Sequence, residues 1–312
     1  MRIKLKTKLL VLALGSIFVS LGAALSPLIL IFQNAQRGAA LEGQMQIAGA
    51  AAEEISHFLD TQFLLLNEAV SLMSSGLAED DAFRKAFMQR LLFRNDAFFD
   101  IALVDRDGNE LIRENRYRII KSSELVNRSQ SLEFQSTKEH GYYSGLLYFE
   151  GGRPLFRLGR ANKDANGKLV SMVIAEVDAR IMQDVVRRTS IARAGGRAFI
   201  VDHNGIVIAH PVFSQVLAQK NFSFLPIVDA LSAHQSFSSI YQNETGEKVL
   251  GAWADIMGRA DGEDTATGWH IVAEENISYA MRHVDKALRF GLASLFFGFT
   301  LTFVGVWFLS RQ

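Results

Sequence analysis

The chain has 312 residues, in which 33 Lys plus Arg balance 33 Asp plus Glu, and it has no cysteine. A balanced charge does not favour nucleic-acid binding, which relies on a basic surface. The absence of cysteine excludes disulfide bonds, thiolate metal sites and a cysteine nucleophile. The informative features are therefore the apolar segments and the internal pattern of the chain.

The first apolar segment is long enough to cross a membrane. Residues 9–32 run for 24 positions without a charge, and a helix of that length spans a hydrocarbon core of about 30 Å. The alternative is a cleaved signal peptide, whose apolar part covers only about 7–15 residues. The flank at residues 1–8 is expected to stay in the cytoplasm because it is basic. Its charges are Arg2, Lys4, Lys6 and Lys8.

A second uncharged segment, residues 290–310, predicts another transmembrane helix. Arg282, Lys286 and Arg289 precede it on the side that the charge rule disfavours, but the first helix usually dominates orientation. Residues 33–289 are therefore expected outside the cell or in the periplasm. The two segments together predict a multi-pass membrane protein.

Residues 33–76 carry the pattern of one long amphipathic helix. Its apolar or small residues recur at alternating steps of three and four, interrupted by the polar Gln62. They are Leu41, Met45, Ala48, Ala52, Ile55, Leu59, Leu66, Ala69 and Met73. The pattern is compatible with a helix packed along its own domain and also with the seam of a dimeric coiled coil. Both interpretations remain open at this point.

The segment between the two apolar ends contains an internal repeat. Residues 101–112, IALVDRDGNELI, match residues 198–209, AFIVDHNGIVIA, at an offset of 97. Residues 174–176 match residues 272–274 at an offset of 98. Two separated matches at nearly one offset indicate two copies of one module.

Each copy is predicted to open with a β-hairpin and to contain about five short antiparallel strands. The Asp-x-(Asp/Asn)-Gly sequence predicts the tight turn, because Asn and Gly tolerate positive φ. The further strands predicted by alternation are 142–149, 155–161, 169–177, 237–241, 248–255 and 269–274. A helix is predicted between the copies, and a second one over 277–289 leads into the second apolar segment.

The most specific motif is GRAFIVDHNGIVIAHP at residues 196–211, followed by Val216-Leu217 and Phe224-Leu225-Pro226. With Arg153-Pro154 and Gly268-Trp269, it resembles the double Cache, or tandem PAS-like, sensor domains of bacterial receptors. The resemblance covers about residues 33–285. It implies an α+β fold in which two transmembrane helices flank a long N-terminal helix and two tandem PAS-like antiparallel-sheet modules. The membrane-distal module would be residues 77–180 and the membrane-proximal module residues 181–285.

The resemblance implies a sensor rather than an enzyme. In that family such domains precede a HAMP linker and an output domain, and a sensor histidine kinase is expected here, with its output beyond residue 312. Alternatives are a chemoreceptor, a diguanylate or adenylate cyclase, and a ligand-free dimerisation or docking module. The sequence stops at Arg311-Gln312, which favours a fragment of a longer receptor over a stand-alone sensor. A homodimer is the expected assembly.

The family places small ligands in the distal module. Members that bind amino acids use an Arg-x-Trp-Tyr motif and a later Asp; this module has no Trp, and Glu176 stands at the position of that Asp. Arg offers a planar fork to anions and Tyr a wall with a polar tip. The candidate ligand-binding residues are Arg113, Tyr117, Arg128, Tyr142, Tyr143, Arg157, Arg160 and Glu176. Each has the alternative role of a solvated charge or core aromatic, and Glu274 repeats Glu176, which favours an architectural role for both.

The sequence predicts neither a metal nor a cofactor. His203 lies in a hairpin turn and His210 precedes a proline, without a second ligand four residues away. Motifs for a zinc protease, a nucleophile elbow or a phosphate loop are absent from the sequence. The expected partners are a small extracellular molecule, the membrane and a second copy of the chain, and not nucleic acid.

Overall fold

A computed structural model describes residues 5–74, 80–192, 194–233, 238–260 and 263–311. Helix α1, Leu5–Ser74, is continuous through the first apolar segment and the amphipathic segment, and Pro27 lies inside it. The boundary expected near residue 32 is therefore not a break in the helix. The predicted helix end at residue 76 lies outside the described residues.

The amphipathic stripe of α1 packs inside the chain. Of its nine predicted residues, six are buried and Met45 is exposed. The buried ones are Ala48, Ala52, Ile55, Leu59, Leu66 and Ala69. Gln62 is also buried, and its amide donates to Phe58 O at 3.2 Å while its oxygen accepts from Asn95. The stripe thus contacts its own domain, and a second copy would have to use another face of α1.

The first sheet has six antiparallel strands in the order β2-β1-β6-β5-β3, and β4 pairs with β5. The strands are β1 Phe98–Asp105, β2 Glu110–Asn115, β3 Tyr142–Ser144, β4 Tyr148–Glu150, β5 Arg153–Lys163 and β6 Leu169–Asp178. Helices α2, Asp81–Arg94, and α3, Leu132–His140, flank it. The prediction of one strand over 142–149 was wrong, because the chain leaves the sheet edge between β3 and β4.

The second sheet has five antiparallel strands in the order β8-β7-β11-β10-β9. The elements are α4 Arg180–Ile191, β7 Gly196–Asp202, β8 Val207–Ala209, α5 Phe213–Leu217, α6 Pro226–Asp229, β9 Ser238–Gln242, β10 Lys248–Ala260 and β11 Glu263–Asn276. Strands β10 and β11 are longer than predicted. Their pairing continues past a register shift at Ile256/Met257 as far as Ala260 and Glu263.

The internal repeat extends to the register of the two sheets. Ile101 pairs with Ala175 in the first, and their counterparts Ala198 and Ala273 pair in the second. Both hairpin turns also agree: Asp105 Oδ1 accepts from two backbone N–H groups at 2.8 Å, and Asp202 Oδ1 does the same at 2.8–2.9 Å. Gly108 and Gly205 have φ of 90° and 80°, which only glycine adopts without strain.

The face of each sheet toward α1 is termed its inner face and the opposite face its outer face. One apolar cluster joins α1 to both inner faces, and Phe156 of β5 meets Trp269 of β11 edge to face at 5.1 Å within it. The outer face of the second sheet has its own cluster, the proximal outer cluster, which includes Phe199, Phe222, Ile227, Val228, Leu231, Tyr241, Val249 and Val272. The two sheets therefore share a core through α1.

Strand β11 leads toward the second apolar helix. It ends at Asn276, whose side chain caps the short helix α7, Ile277–Ala280, and α8 spans Arg282–Arg311. The single helix predicted over 277–289 is interrupted at Met281. By length and composition, Gly15–Met73 and Val284–Gly305 each contain a stretch that could cross a membrane.

Candidate functional site

A row of polar side chains crosses the outer face of the first sheet. Asp100 on β1 is the register partner of Asn115 on β2 and of Glu176 on β6, and Glu176 is in turn the partner of Arg157 on β5. Cross-strand partners point to the same face. Four adjacent strands thus contribute one polar row, and Asp100 and Glu176 are almost completely buried.

Arg113 lies two residues before Asn115 on β2, on the same face of the sheet, and forms the first ion pair of the site with Asp100. Its Nε donates to Asp100 Oδ1 at 2.9 Å, while Asn115 Nδ2 donates to Asp100 Oδ2 at 3.0 Å. Burial by itself lowers the pKa of Arg113, but the hydrogen bonds to Asp100 and the charges of Asp100, Glu110 and Glu176 together outweigh it, so that the pKa is raised. Arg113 is therefore a permanently charged partner of Asp100.

A chain of charge pairs covers the rest of the row. Arg157 Nε and Nη2 donate to the same Glu176 oxygen, Oε1, at 3.1 Å, and Arg157 Nη1 reaches Glu133 of α3 at 3.3 Å. Arg128 joins Glu133 at 3.2 Å to Glu110 at 2.6 Å. Helix α3 holds Glu133 in place because Ser131 caps the helix start by accepting from Phe134 N at 3.3 Å.

Two buried polar atoms at this site make no hydrogen bond of normal geometry: Glu176 Oε2 and the Tyr148 hydroxyl. The Tyr148 ring lies under the Arg157 guanidinium at 4.7 Å. Burial raises the pKa of Tyr148, and the neighbouring Glu176 carboxylate raises it further. The hydroxyl thus remains protonated and interacts with the Glu176 carboxylate, without a hydrogen bond of normal geometry.

The site is acidic on balance. Four carboxylates, those of Asp100, Glu110, Glu133 and Glu176, face three guanidinium groups, which leaves one negative charge. A buried carboxylate oxygen without a partner is costly, about 1–3 kcal/mol or more for a charged group. The arrangement is therefore suited to accept one further positive or hydrogen-bond-donating group.

The structure brings together five of the eight predicted site residues: Arg113, Arg128, Tyr143, Arg157 and Glu176. Tyr143 packs over Gly159 on the outer face, where a Cβ would overlap the Thr137 hydroxyl. Burial raises the pKa of Tyr143, and the charge of Glu133 adds to this.

The other three predicted residues lie elsewhere. Tyr117 is 58% exposed beyond β2, and Arg153 Nη1 donates to its hydroxyl at 2.7 Å. Tyr142 contacts Phe63 of α1 on the inner face, with ring centroids 6.4 Å apart. Arg160 is the register partner of Tyr142 and donates to Gly141 O at 3.3 Å. For Tyr142 and Arg160, a one-residue step along the strand separates the side chain from the outer face.

Sequence reasoning missed Asp100, Glu110, Glu133 and Tyr148. For Asp100 a signal was present, since it interrupts the apolar strand FFDIALVD and a buried carboxylate needs a partner. The others depend on strand register and on the position of α3, which one sequence does not reveal.

The second sheet contains a counterpart in which every oxygen is bonded. Glu274 occupies the position of Glu176 and pairs with Arg197 on β7 and Gly251 on β10. Its Oε2 accepts from Arg197 Nε at 2.9 Å, and its Oε1 accepts from the Tyr241 hydroxyl. Burial raises the pKa of Glu274. This cluster is closed without an additional group.

The two histidines of the GRAFIVDHNGIVIAHP motif, His203 and His210, occupy different environments. His210 is buried against Phe199 and Phe222, and its Nδ1 accepts from Val212 N at 3.0 Å. His203 is exposed, and Asn204 lies beside its ring at 2.9 Å. Within the described ranges, no three His, Asp or Glu side chains are grouped to hold a metal ion.

The family model described as Cache domain matches residues 32–284. The sequence has no match among curated proteins. The fold is similar to that of the ligand-binding domain of the Pseudomonas aeruginosa amino acid chemoreceptor PctC in complex with GABA, with 13% identity, 76% of this chain and 100% of that chain covered, and a TM-score of 0.59.

Two further solved structures share the fold. The ligand-binding domain of the Pseudomonas fluorescens chemoreceptor CtaA in complex with L-isoleucine has 16% identity, covers 80% of this chain and 98% of its own, and has a TM-score of 0.59. The extracellular domain of mmHK1S-Z2, described as a histidine kinase, has 16% identity, covers 78% and 99%, and has a TM-score of 0.63. At these identities the likeness concerns the fold alone.

Proposed function

The chain belongs to the Cache domain family, and from that premise we propose that it senses a small extracellular molecule and signals across the membrane. The distal module, residues 77–180, binds the molecule on its outer face, and the proximal module, residues 181–285, passes the change on. The apolar helices at the two ends cross the bacterial inner membrane and leave residues 33–289 outside.

The ligand is a small organic cation, such as an ammonium or guanidinium compound. The observation that carries this proposal is the buried Glu176 Oε2, which lies within an acidic cluster and makes no hydrogen bond of normal geometry, although the Tyr148 hydroxyl is beside this carboxylate. In the proximal module, the position next to the matching glutamate holds the guanidinium of Arg197. In the distal module that strand position is Asp100, and Arg157 on the other neighbouring strand reaches only Glu176 Oε1. We propose that the ligand supplies the positive group that faces Oε2.

A carboxylate ligand is disfavoured by the same contacts. Arg113, Arg128 and Arg157 are each bonded to a carboxylate of the chain. An anionic ligand would have to break one of these pairs and leave a buried carboxylate unpaired, which costs several kcal/mol, about 3–5. The cluster therefore selects for a cation and against an anion of the same size.

The signal travels through the helices at the two ends. Helix α1 contacts both inner faces and continues into the first apolar segment, and β11 joins α8 through α7. Shifts of about 1–2 Å between packed helices are typical of such switches. A homodimer would align the apolar helices of two copies. The proposed receptor class is a sensor histidine kinase, with a chemoreceptor or cyclase as alternative outputs. Sequencing a transcript that covers the coding region downstream of residue 312 tests which output domain follows.

The test is a binding titration of the full chain in lipid nanodiscs with n-butylammonium, butyrate and 4-aminobutyrate at equal ionic strength. We expect n-butylammonium to bind and to raise Tm by mass action, and butyrate to have no effect. Glu176→Gln should weaken n-butylammonium binding by about 30-fold, since a buried charge partner is lost. The matched control Glu139→Gln, an exposed position on α3, should leave it unchanged.

Each remaining outcome counts against part of the proposal. Binding of butyrate without n-butylammonium contradicts the cation class and leaves sensing intact. Failure of all three probes is followed by a thermal-shift screen of a metabolite library on the same nanodiscs. A library without a single binder contradicts small-molecule sensing itself and favours a ligand-free docking module.

A further inference from the structure

The edge of the first sheet contacts both the candidate ligand site and the second sheet. Strand β4 forms a hairpin with β5 through Gly151-Gly152, whose φ values are 56° and 77°. Between β3 and β4 the chain is held by Gly145, whose N–H donates to Arg157 O at 2.8 Å. Residues 145–150 are termed the β4 segment.

Alternate side chains of the β4 segment contact different parts of the molecule. Tyr148 lies against Arg157 and beside Glu176, in the ligand site. Leu147 and Phe149, on either side of it, pack against the proximal outer cluster of the second sheet, and Leu147 also contacts the cluster around α1. In an extended chain, neighbouring side chains point in opposite directions. One short segment is thus inserted between the site of one module and the core of the other.

The proximal outer cluster, against which Phe149 packs, includes a residue of β11, the strand that precedes α7 and α8. It contains Val272 of β11 and Tyr241 of β9, and the Tyr241 hydroxyl donates to Glu274 of β11. Strand β11 ends at Asn276, directly before α7 and α8. Packed cores adopt discrete arrangements rather than deforming smoothly. A displacement of Tyr148 would therefore shift β11 through the packing of Phe149 on this cluster.

We propose that the β4 segment is the mechanical link between the ligand site and the proximal module, with Tyr148 as its sensing residue and Leu147 and Phe149 as its contacts on the second sheet. This inference rests on the proposed sensing function. The link is additional to α1, which contacts the inner faces of both sheets. Because coupling is reciprocal, a change that shifts the proximal outer cluster should in turn alter the affinity for the ligand at Glu176.

The test measures hydrogen exchange of residues 222–231 in the full chain in nanodiscs. Glu176→Gln, which alters the site without any ligand, should change these exchange rates at least about threefold, corresponding to a modest coupling. In a Phe149→Ala background the same substitution should have no effect. Leu146→Ala, at a 55% exposed position of the same segment, is the matched control and should preserve the change. Phe149→Leu should give an intermediate result, and it replaces Phe149→Ala if that variant fails to fold.

Two results would overturn the link. One is an effect of Glu176→Gln on residues 222–231 that persists in both Phe149 variants. The other is the absence of any effect in the unmodified background, with folding intact. Neither depends on the identity of the ligand, so this inference fails separately from the cation class. If n-butylammonium binds, it should slow exchange of residues 222–231 in the Leu146→Ala chain, and persistence of that slowing in Phe149→Ala contradicts the link.

Discussion

Glu176 and Glu274 occupy the same register position in the two sheets, yet only Glu274 has both carboxylate oxygens hydrogen-bonded. The difference arises from the neighbouring strand, which carries Asp100 in one module and Arg197 in the other. The guanidinium of Arg197 thus pairs with Glu274 from the adjacent strand, and we propose that a foreign cation takes the corresponding role at Glu176. The two sheets share their strand register but differ in the charge of the residue beside the glutamate, which is Asp100 in one and Arg197 in the other.

The two tyrosines beside these glutamates should respond differently to loss of the hydroxyl. Tyr241→Phe removes a buried hydrogen bond to Glu274 and should lower the free energy of unfolding by about 1–3 kcal/mol. Tyr148→Phe removes a hydroxyl that makes no hydrogen bond of normal geometry, so stability should change little while n-butylammonium affinity falls about tenfold. Thermal unfolding and titration of both variants check this pair. Equal losses of stability would contradict the assignment.

The stability of the proximal module should depend on pH through His210. Burial lowers the pKa of His210 below its ordinary 6.5, and the charge of Arg197 adds to this. The unfolded chain therefore binds a proton more readily than the folded chain, so His210 contributes stability above pH 6.5 that is lost as pH falls through and below that value. The slope from this group is at most about 1.4 kcal/mol per pH unit.

The comparison that isolates this effect is His210→Asn, whose side chain can still accept from Val212 N. Arg197, Glu244 and Lys220 also face His210, and they are present in both proteins. Unfolding measured from pH 8 to pH 5 should show a steeper loss in the native chain than in the variant. Parallel curves would show that His210 does not titrate differently on folding.

Gly159 should be intolerant of a methyl group. A Cβ there would overlap the Thr137 hydroxyl of α3 and lie 3.2 Å from Tyr143 Cβ. Gly159→Ala should therefore push α3 from the sheet, at a cost of about 1–3 kcal/mol, and reduce n-butylammonium affinity by moving Glu133. Gly49→Ala is the control, because nothing lies near its Cβ and alanine favours the helix. Comparable Tm values for the two variants would contradict the close contact.

Two leucines five residues apart on α1 test which face of the helix packs internally. Leu59 is fully buried and Leu64 is 67% exposed. Leu59→Ala should lower the free energy of unfolding by about 2–5 kcal/mol. Leu64→Ala should change that of the monomer by no more than about 0.5 kcal/mol. Chemical denaturation in detergent measures both. A large loss at Leu64 that depends on protein concentration would instead place this residue in the contact with a second copy.

Periodicity and the internal repeat were sufficient to predict most of the fold. The offset of 97 between the two hairpins predicted two related sheets, and the structure has matching strand orders and registers. The strand over 142–149 was predicted wrongly because its residues continue the alternation across Gly145, where the backbone leaves the edge of the sheet. Alternation describes side chains and does not reveal whether a neighbouring strand is present to bond.

The sequence alone determined the apolar ends, the amphipathic helix, the hairpins and the family, because these depend on local periodicity and on turn residues with special φ. Only the tertiary structure decided which charged residues meet. Arg160 and Arg157 look equivalent in sequence, but a shift of three residues along β5 sends them to opposite faces, and Glu133 reaches Arg157 only because α3 packs on the outer face. Pairing across strands depends on register, which is set by contacts between segments distant in the chain.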